Sequence, residues 1–155
     1  MKFSTRQDVD APIDRVFEMI CAFDVYERAA MRRGADVIRL DSLDAPGIGA
    51  KWDVQFTMRG KQRFVSLEVV EFDTPTEITV SLSSRNVIGG VHVELFSLSR
   101  SRTRMLVGVE VTPITLAARL FLQSLKLTKS SLNRKFENRI AEHAKDIEER
   151  HQRSA

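Results

Sequence analysis

Residues 52–69, WDVQFTMRGKQRFVSLEV, decide the fold, because apolar and polar side chains alternate on both sides of Gly60-Lys61. Such alternation is typical of β-strands with one buried face. Glycine at the first central position of a two-residue turn predicts a type II′ hairpin that pairs Arg59 with Gln62. The register that follows sets Met58 opposite Arg63, Phe56 opposite Val65, Val54 opposite Leu67 and Trp52 opposite Val69. Both apolar sets then share one face, and a slip of one residue would mix that face with polar side chains.

The same period of two continues on both sides of this hairpin. It marks strands at residues 2–9, 38–40, 78–82, 91–95 and 107–111. Together with the two hairpin strands these make seven, mostly joined by short turns. The pattern predicts an antiparallel sheet with one face toward water.

Helical spacing occurs at three places in the chain. Pro12 opens a first short helix. Asp24 and Glu27 have the spacing of a capping box, which predicts a second short helix there. From about residue 112 a long amphipathic helix runs to the C-terminus, but its segment 120–127 is apolar nearly all round. A single packing surface does not account for that segment.

Composition limits the class of protein. A chain of 155 residues with 43% hydrophobic and 29% charged residues suits one domain, residues 1–155, with a sizeable core. The net charge of +3 does not require nucleic acid, and none is expected as a partner. The first residues lack the apolar run of a secretory signal, and no segment reaches membrane-spanning length. Because the single Cys21 cannot form an internal disulfide, we expect a cytoplasmic protein.

Four stretches carry a resemblance to a known family: VDAPIDRVFEMICAF at 9–23, GIGAKWDV at 47–54, VVEFDTPTEI at 69–78 and SLNRKFENRI at 131–140. The chain resembles the SRPBCC superfamily of START-like, or helix-grip, proteins, in the polyketide cyclase/dehydrase and lipid transport branch. This resemblance implies an α+β fold in which a curved seven-stranded antiparallel sheet wraps around a long C-terminal helix. Two short helices follow strand 1, and an apolar cavity lies between the sheet and the long helix.

The resemblance also implies which face of each strand points into the cavity. The implied sheet lining comprises Trp52, Val54, Phe56, Met58, Val65, Leu67, Val69, Leu82, Val93, Leu95, Val107 and Val109, with Arg63 as a polar member beside the turn. The long helix would close the roof with Leu120, Ser124, Leu127 and Ser131. The alternative is that all these side chains fill a solid core.

No catalytic residue is predicted within this lining. His92 and Glu94 alternate onto the outer face, and His143 and His151 lie in the polar part of the long helix. Cys21 lies on an apolar helix face, which favours a buried and unreactive thiol. The chain has no close spacing of histidines and cysteines, so we predict no metal site and no cofactor.

Three functions remain open from the sequence. The first hypothesis is the binding or carriage of a hydrophobic small molecule or lipid in the cavity, which the scarcity of inward titratable groups favours. The second is a polyketide cyclase/dehydrase-like enzyme that acts on an apolar or aromatic substrate, with Arg63 and a serine stabilising an enolate. The third is an interaction protein whose segment 120–127 contacts a membrane peripherally or forms a homodimer. A carboxylate or histidine inside the cavity would favour the enzyme.

Overall fold

The computed structural model describes residues 1–154, which form seven β-strands and four α-helices. In chain order the elements are β1 (Lys2–Val9), α1 (Ile13–Ile20), α2 (Phe23–Arg32), β2 (Asp36–Arg39), β3 (Lys51–Met58), β4 (Lys61–Asp73), β5 (Glu77–Ser84), β6 (Val87–Ser99), β7 (Arg102–Pro113), α3 (Leu116–Leu125) and α4 (Lys129–Ser154). A short 3₁₀ turn at Lys126–Thr128 joins α3 to α4. None of these helices is long and apolar enough to cross a membrane.

The strands form one antiparallel sheet in the order β1-β7-β6-β5-β4-β3-β2. β1 and β2 lie at opposite edges, so the chain between them must cross the sheet, and α1 and α2 make that crossing. The sheet is curved, and the last helical stretch follows its final strand. This architecture confirms the predicted α+β helix-grip fold.

The β3–β4 hairpin differs from the predicted register by two residues. Arg59 and Gly60 occupy the central positions with φ of 53° and 74°, while Met58 pairs with Lys61. Positive φ at both central residues makes a type I′ turn, whose twist matches that of the flanking strands. The prediction of a type II′ turn with Gly60-Lys61 at its centre was therefore wrong. Because the error is an even number of residues, every side chain keeps its predicted face.

A solid core fills the part of the molecule under α1 and the C-terminal half of α4. Val16 and Phe17 of α1, Met105 of β7 and Ile147 of α4 are all buried there. Helix α4 also packs along β1, where the ring centroids of Phe3 and Phe136 lie 6.0 Å apart. The helices therefore cover one side of the inner sheet face closely and leave the middle of the sheet less well filled.

Cys21 lies in this core, at the C-terminal end of α1. Burial raises the pKa of its thiol to about 12. At neutral pH the side chain is a protonated thiol, which is the unreactive form.

The close approach of β6 to its neighbours depends on two adjacent glycines. A Cβ on Gly89 would meet the carbonyl oxygen of Glu110 on β7 well inside contact distance, and a Cβ on Gly90 would lie 2.8 Å from the carbonyl oxygen of Val80 on β5. Both approaches involve backbone atoms, which cannot swing aside as a side chain can. The centre of the sheet therefore requires glycine at both positions.

We expect Gly89→Ala to lower the free energy of unfolding by about 1–3 kcal/mol, because the added methyl group forces β6 and β7 apart. Urea denaturation followed by circular dichroism measures the change. Gly108→Ala is the matched control, since a Cβ there would lie 4.0 Å from the nearest backbone oxygen, that of Phe3. Equal effects of the two substitutions would contradict the proposed close approach.

Candidate functional site

The inner face of the sheet, α2 and the middle of α4 line a partly open cavity of about 480 Å³. Aliphatic and aromatic side chains make up nearly all of its lining: Ile20, Phe23, Ala30, Val37, Trp52, Val54, Leu67, Ile78, Val80, Val91, Val93, Met105, Val107 and Ile140. Three polar side chains complete it, namely Tyr26, Glu27 and His143. Several of the strand valines are only half-buried, because the cavity leaves part of their side chains accessible to solvent.

Five of the residues expected from the sequence line this cavity: Trp52, Val54, Leu67, Val93 and Val107. Val69 and Leu95 are buried in the core beside it. The remaining sheet residues, Phe56, Met58, Arg63, Val65, Leu82 and Val109, do not reach it. The cavity therefore occupies only part of the inner sheet face, away from the tip of the β3–β4 hairpin.

The expected helix roof lies elsewhere. Leu120, Ser124, Leu127 and Ser131 are exposed, and none of them lines the cavity. Ile140 and His143 of α4 form the roof instead, beginning nine residues beyond Ser131, which is about 13 Å along a helix axis. The 3₁₀ turn at Lys126–Thr128 separates α3 from α4, so the apolar segment does not extend the roof.

Arg63 faces inward, but it lies four residues before Leu67 on β4, near the tip of the β3–β4 hairpin. Its Nε atom is buried and has no hydrogen-bond partner among the described residues. The side chain is half-buried. Its position separates it from the cavity, so it is not placed to stabilise an enolate formed there.

Glu27 is held at one wall of the cavity by Trp52 and Arg39. Trp52 Nε1 donates a hydrogen bond of 3.0 Å to Glu27 Oε2, and the Arg39 guanidinium donates one of 3.3 Å to the same oxygen. Arg39 also lies 4.8 Å from the Trp52 ring centroid. The predicted capping role of Glu27 is therefore wrong, since α2 begins without a side-chain cap. Its charge is compensated by the Arg39 guanidinium.

Asp41 holds Arg39 in place from the other side. Arg39 Nε donates to Asp41 Oδ2 at 2.5 Å, and the backbone N–H groups of Leu43 and Lys51 also donate to this carboxylate. The hydrogen bond from Arg39, followed by the backbone hydrogen bonds, holds the pKa of Asp41 well below its usual range. Asp41 is thus ionised at any physiological pH, and it fixes the cation that neutralises Glu27.

Tyr26 and His143 form the second polar group of the lining. Tyr26 Oη and His143 Nε2 lie 3.0 Å apart, and the two ring centroids are separated by 5.7 Å. Burial lowers the pKa of His143; the nearby Asp146 carboxylate raises this pKa to a smaller extent, and the Arg150 guanidinium lowers it further. Burial also raises the pKa of Tyr26. Near pH 7 the pair is therefore a neutral imidazole beside a neutral phenol, which is a base and a proton donor within reach of each other.

The prediction that His143 lies in the polar part of the long helix was wrong, since its side chain lines the cavity. Residues at i, i+3, i+4 and i+7 share one helix face, and Ile140, His143, Ala144 and Ile147 have this spacing on α4. Ala144 and Ile147 are buried, so this face is the inward one. The signal was present in the helical spacing, but the many charged neighbours of His143 obscured it.

His92 lies on the outer face of the sheet, as predicted. Its Nε2 is 3.2 Å from Glu77 Oε1 and 3.0 Å from Glu94 Oε1, and its Nδ1 is 2.5 Å from Thr79 Oγ1. Glu71, Glu77 and His92 have ligand atoms within 4.8 Å of one another. The three residues come together because their strands are adjacent in the sheet, so the spacing in the sequence could not reveal the cluster. Its carboxylates and imidazole could hold a metal ion, and they equally suit a simple ion pair.

A second depression of about 460 Å³ lies on the other side of β3 and β4. Its lining includes Asp36, Asp53, Gln55, Ser66, Ser83, Ser84 and Arg85, and Val65 borders it. Ser66 Oγ donates to Asp53 Oδ1 at 2.9 Å. Because it lacks the nearly continuous apolar lining of the first cavity, this depression is a weaker candidate site for an apolar ligand.

Comparison with known proteins identifies the fold. No protein-family model matches the sequence, and no curated protein is significantly similar to it. An aromatase/cyclase, Zhui, from Streptomyces sp. R1128 superposes with a TM-score of 0.61 at 15% identity, over 94% of this chain and 93% of its own. A START superfamily protein from Mycobacterium smegmatis gives 0.56 at 13% identity, over 88% and 97%. Truncated norcoclaurine synthase from Thalictrum flavum gives 0.61 at 10% identity, over 81% and 82%.

These likenesses define the class of the molecule. The chain has the helix-grip fold of SRPBCC, or START-like, proteins, and the resemblance stated from its sequence motifs is confirmed at the level of the fold. Proteins with this fold carry out different functions, so the fold alone does not assign one. The chemistry of the cavity must supply the functional argument.

Because the pKa of His143 is lowered in the folded protein, the free energy of unfolding should depend on pH. In the unfolded chain this side chain takes up a proton near pH 6.5, whereas the folded protein resists protonation. The unfolded state therefore binds more protons as pH falls below about 6.5, and the free energy of unfolding decreases until the folded-state pKa is reached. We expect His143→Gln to lose less stability than the wild type between about pH 7 and pH 5.

Urea denaturation at a series of pH values measures this difference, and an NMR titration of the His143 ring gives its pKa directly. A ring that titrates at the value of an unfolded peptide would contradict the burial of His143 in the cavity wall.

Proposed function

We propose that the protein binds or carries a hydrophobic small molecule or lipid in the cavity between the sheet and α4. The observation that supports this most strongly is the composition of the cavity lining, in which aliphatic and aromatic side chains are interrupted only by Tyr26, Glu27 and His143. Ligand sites in proteins are usually of roughly 300–1,000 Å³, mostly apolar and equipped with a few polar groups. The cavity of about 480 Å³ meets each of these conditions.

The volume of the cavity restricts the size of its ligand. At about 30 Å³ for a water-sized group, the space accommodates roughly 15 non-hydrogen atoms. A two-ring or three-ring aromatic compound or a single medium-length acyl chain has this size. A diacyl phospholipid is too large to be enclosed.

The polar groups of the lining suggest how such a ligand is oriented. Tyr26 and His143 are neutral and offer one hydroxyl and one ring nitrogen to a ligand. We infer that the ligand carries a hydroxyl or carbonyl group at this end and is apolar elsewhere. The ligand class does not include nucleic acid, and the single buried thiol of Cys21 supports a cytoplasmic location for the complex.

A neutral fluorescent probe, N-phenyl-1-naphthylamine, tests for binding in the cavity. We expect Leu67→Glu to weaken its binding at least about tenfold, because an unpaired carboxylate in an apolar site is strongly unfavourable. Phe64→Glu is the matched control, since Phe64 is on the same strand, is 64% exposed and lies outside the cavity. Fluorescence titration measures both affinities.

A second variant, which fills the cavity, distinguishes loss of probe binding from loss of the fold. Val80→Phe adds apolar volume, so it should block the probe without lowering the midpoint of thermal unfolding. Unchanged probe binding in both Leu67→Glu and Val80→Phe would exclude the cavity as the site. Native mass spectrometry of the purified wild type, followed by solvent extraction, then identifies any bound natural ligand.

A second candidate function is a cyclase/dehydrase-type enzyme, and His143 is the observation that favours it. A carrier does not need a neutral imidazole beside a phenol within its cavity, whereas proton transfer at carbon does. In this mechanism Tyr26 Oη donates a hydrogen bond to a substrate carbonyl, and His143 Nε2 removes a proton from the adjacent carbon. The resulting enolate is stabilised by the same phenol. For ring closure its α-carbon attacks a second carbonyl of the substrate, and the new alkoxide takes the proton back from the His143 imidazolium; for dehydration the enolate expels a β-hydroxyl group, which leaves as water with that proton.

Benzoylacetone in D₂O tests this proton transfer, because NMR detects exchange of its α-protons. We expect the wild type to accelerate exchange, with His143→Gln losing the acceleration and Tyr26→Phe losing about 10²-fold or more of it, the usual contribution of a general acid or base. Binding of the naphthylamine probe should remain in both variants. Equal exchange rates in the wild type, both variants and buffer would exclude the enzyme and leave the carrier unaffected.

A further inference from the structure

Helix α3 and the 3₁₀ turn after it expose three leucines on one side. The exposed fractions are 74% for Leu116, 59% for Leu120 and 90% for Leu127, and we name these three residues the leucine face. Leu116 and Leu120 are four residues apart and lie on one side of α3, and Leu127 follows in the 3₁₀ turn, two residues after α3 ends. The opposite side holds Ala118, which is buried, so the leucine face points away from the rest of the protein.

Charges around the leucine face have a single sign. Between Pro113 and Phe136 the charged residues are Arg119, Lys126, Lys129, Arg134 and Lys135, and no acidic residue interrupts them. These five positive charges exceed the net charge of the whole protein, which is +3, so the remainder of the chain has a small net negative charge. None of the five forms an ion pair with the described residues.

The β3–β4 hairpin adds another cation at the same place. The Arg59 guanidinium lies 4.6 Å from the centroid of the Phe121 ring, which is 36% exposed. The tip of the hairpin therefore sits beside α3, and Met58 next to it is also exposed. The leucine face thus belongs to a larger apolar surface with a basic border.

Helix α3 is anchored in the orientation that exposes this surface. The Thr115 side chain accepts a hydrogen bond from Ala118 N at 3.2 Å and donates one to Asn86 Oδ1 at 3.2 Å. The backbone N–H of Ile114 donates to the Asn86 carbonyl oxygen at 2.8 Å. These bonds fix the start of α3 to the turn between β5 and β6, so the leucines are presented by an ordered helix.

We propose that this surface docks on an anionic lipid membrane, with α3 lying in the plane of the interface. An anionic bilayer offers both features that the surface requires, an apolar interior for leucines and negatively charged head groups for the basic border. A helix of 10 residues is about 15 Å long, which suits a position along the interface and is too short to cross the hydrocarbon core. The inference does not depend on which ligand occupies the cavity.

Vesicle flotation of the full-length protein tests the proposal. Vesicles of phosphatidylcholine with about 30% phosphatidylserine should carry the protein upward, while pure phosphatidylcholine vesicles should carry much less. The double variant Leu120→Glu/Leu127→Glu should reduce binding to the background level. Lys126→Glu/Lys129→Glu should weaken it at least about tenfold at low salt, because each basic residue near the surface contributes to the attraction.

Ile48→Glu is the matched control for the leucine variants. Ile48 is 61% exposed, close to the value for Leu120, and it precedes β3, at the end of that strand opposite to Arg59. This variant should bind vesicles as the wild type does. Circular dichroism and probe binding in the cavity establish that each variant is folded and that any loss is specific to the membrane.

A second measurement reports on insertion of the helix itself. Cys21 is buried, so Leu127→Cys provides a single accessible thiol for an environment-sensitive fluorophore. Its emission should shift to shorter wavelength on addition of the anionic vesicles and stay unchanged with neutral ones.

Three results would overturn the proposal. They are failure of the folded wild type to bind anionic vesicles, binding that persists in the Leu120→Glu/Leu127→Glu variant, and self-association in analytical ultracentrifugation that this variant abolishes while no vesicle binding occurs. The last result would identify a second copy of the chain as the occupant of the leucine face.

Discussion

The structure depends on how the helices cover the apolar inner face of the seven-stranded antiparallel sheet. The helical residues that pack on this face are too few to cover all of it. Helix α1 and the C-terminal half of α4 fill one part of that face, where Phe17 and Ile147 are buried. Helix α4 packs along β1 at the sheet edge, and its residues Ile140 and His143 line the cavity over the inner face. The apolar side chains between β3 and β7 are covered less completely, and the cavity is the space that remains between them and the helices.

Two polar arrangements interrupt this apolar wall, and they are stabilised in different ways. The carboxylate of Glu27 is paired with Arg39 and bonded to Trp52, so its charge is compensated locally. Tyr26 and His143 are kept neutral by burial and satisfy each other with one hydrogen bond. The first arrangement is a fixed structural support. The second can exchange its hydrogen bond for one to a ligand, which makes it the chemically versatile part of the cavity.

Individual residues show how much of the cavity could be predicted from the sequence. Strand alternation placed Trp52, Leu67 and Val93 on the apolar faces of their strands, and the family resemblance implied that these faces point inward. All three residues line the cavity. The same reasoning included Met58, which shares their parity but lies at the hairpin tip, because alternation gives a face and not a position along the strand. His143 was missed since its charged neighbours suggested a solvated helix, although its spacing from Ile140 places both on the inward side.

The sequence alone determined the order of the strands and of the first two helices and the apolar face of each strand, because side-chain alternation and helical spacing are local properties of the chain. The helix-grip class and the inward direction of those faces were implied by the resemblance of its motifs to a known family. Tertiary structure decided the hairpin register, the break between α3 and α4 and the direction in which α4 crosses the sheet. These features depend on contacts between distant segments, such as Arg59 with Phe121 and Phe3 with Phe136. They determined which apolar residues became cavity wall, which became core and which were left on the surface.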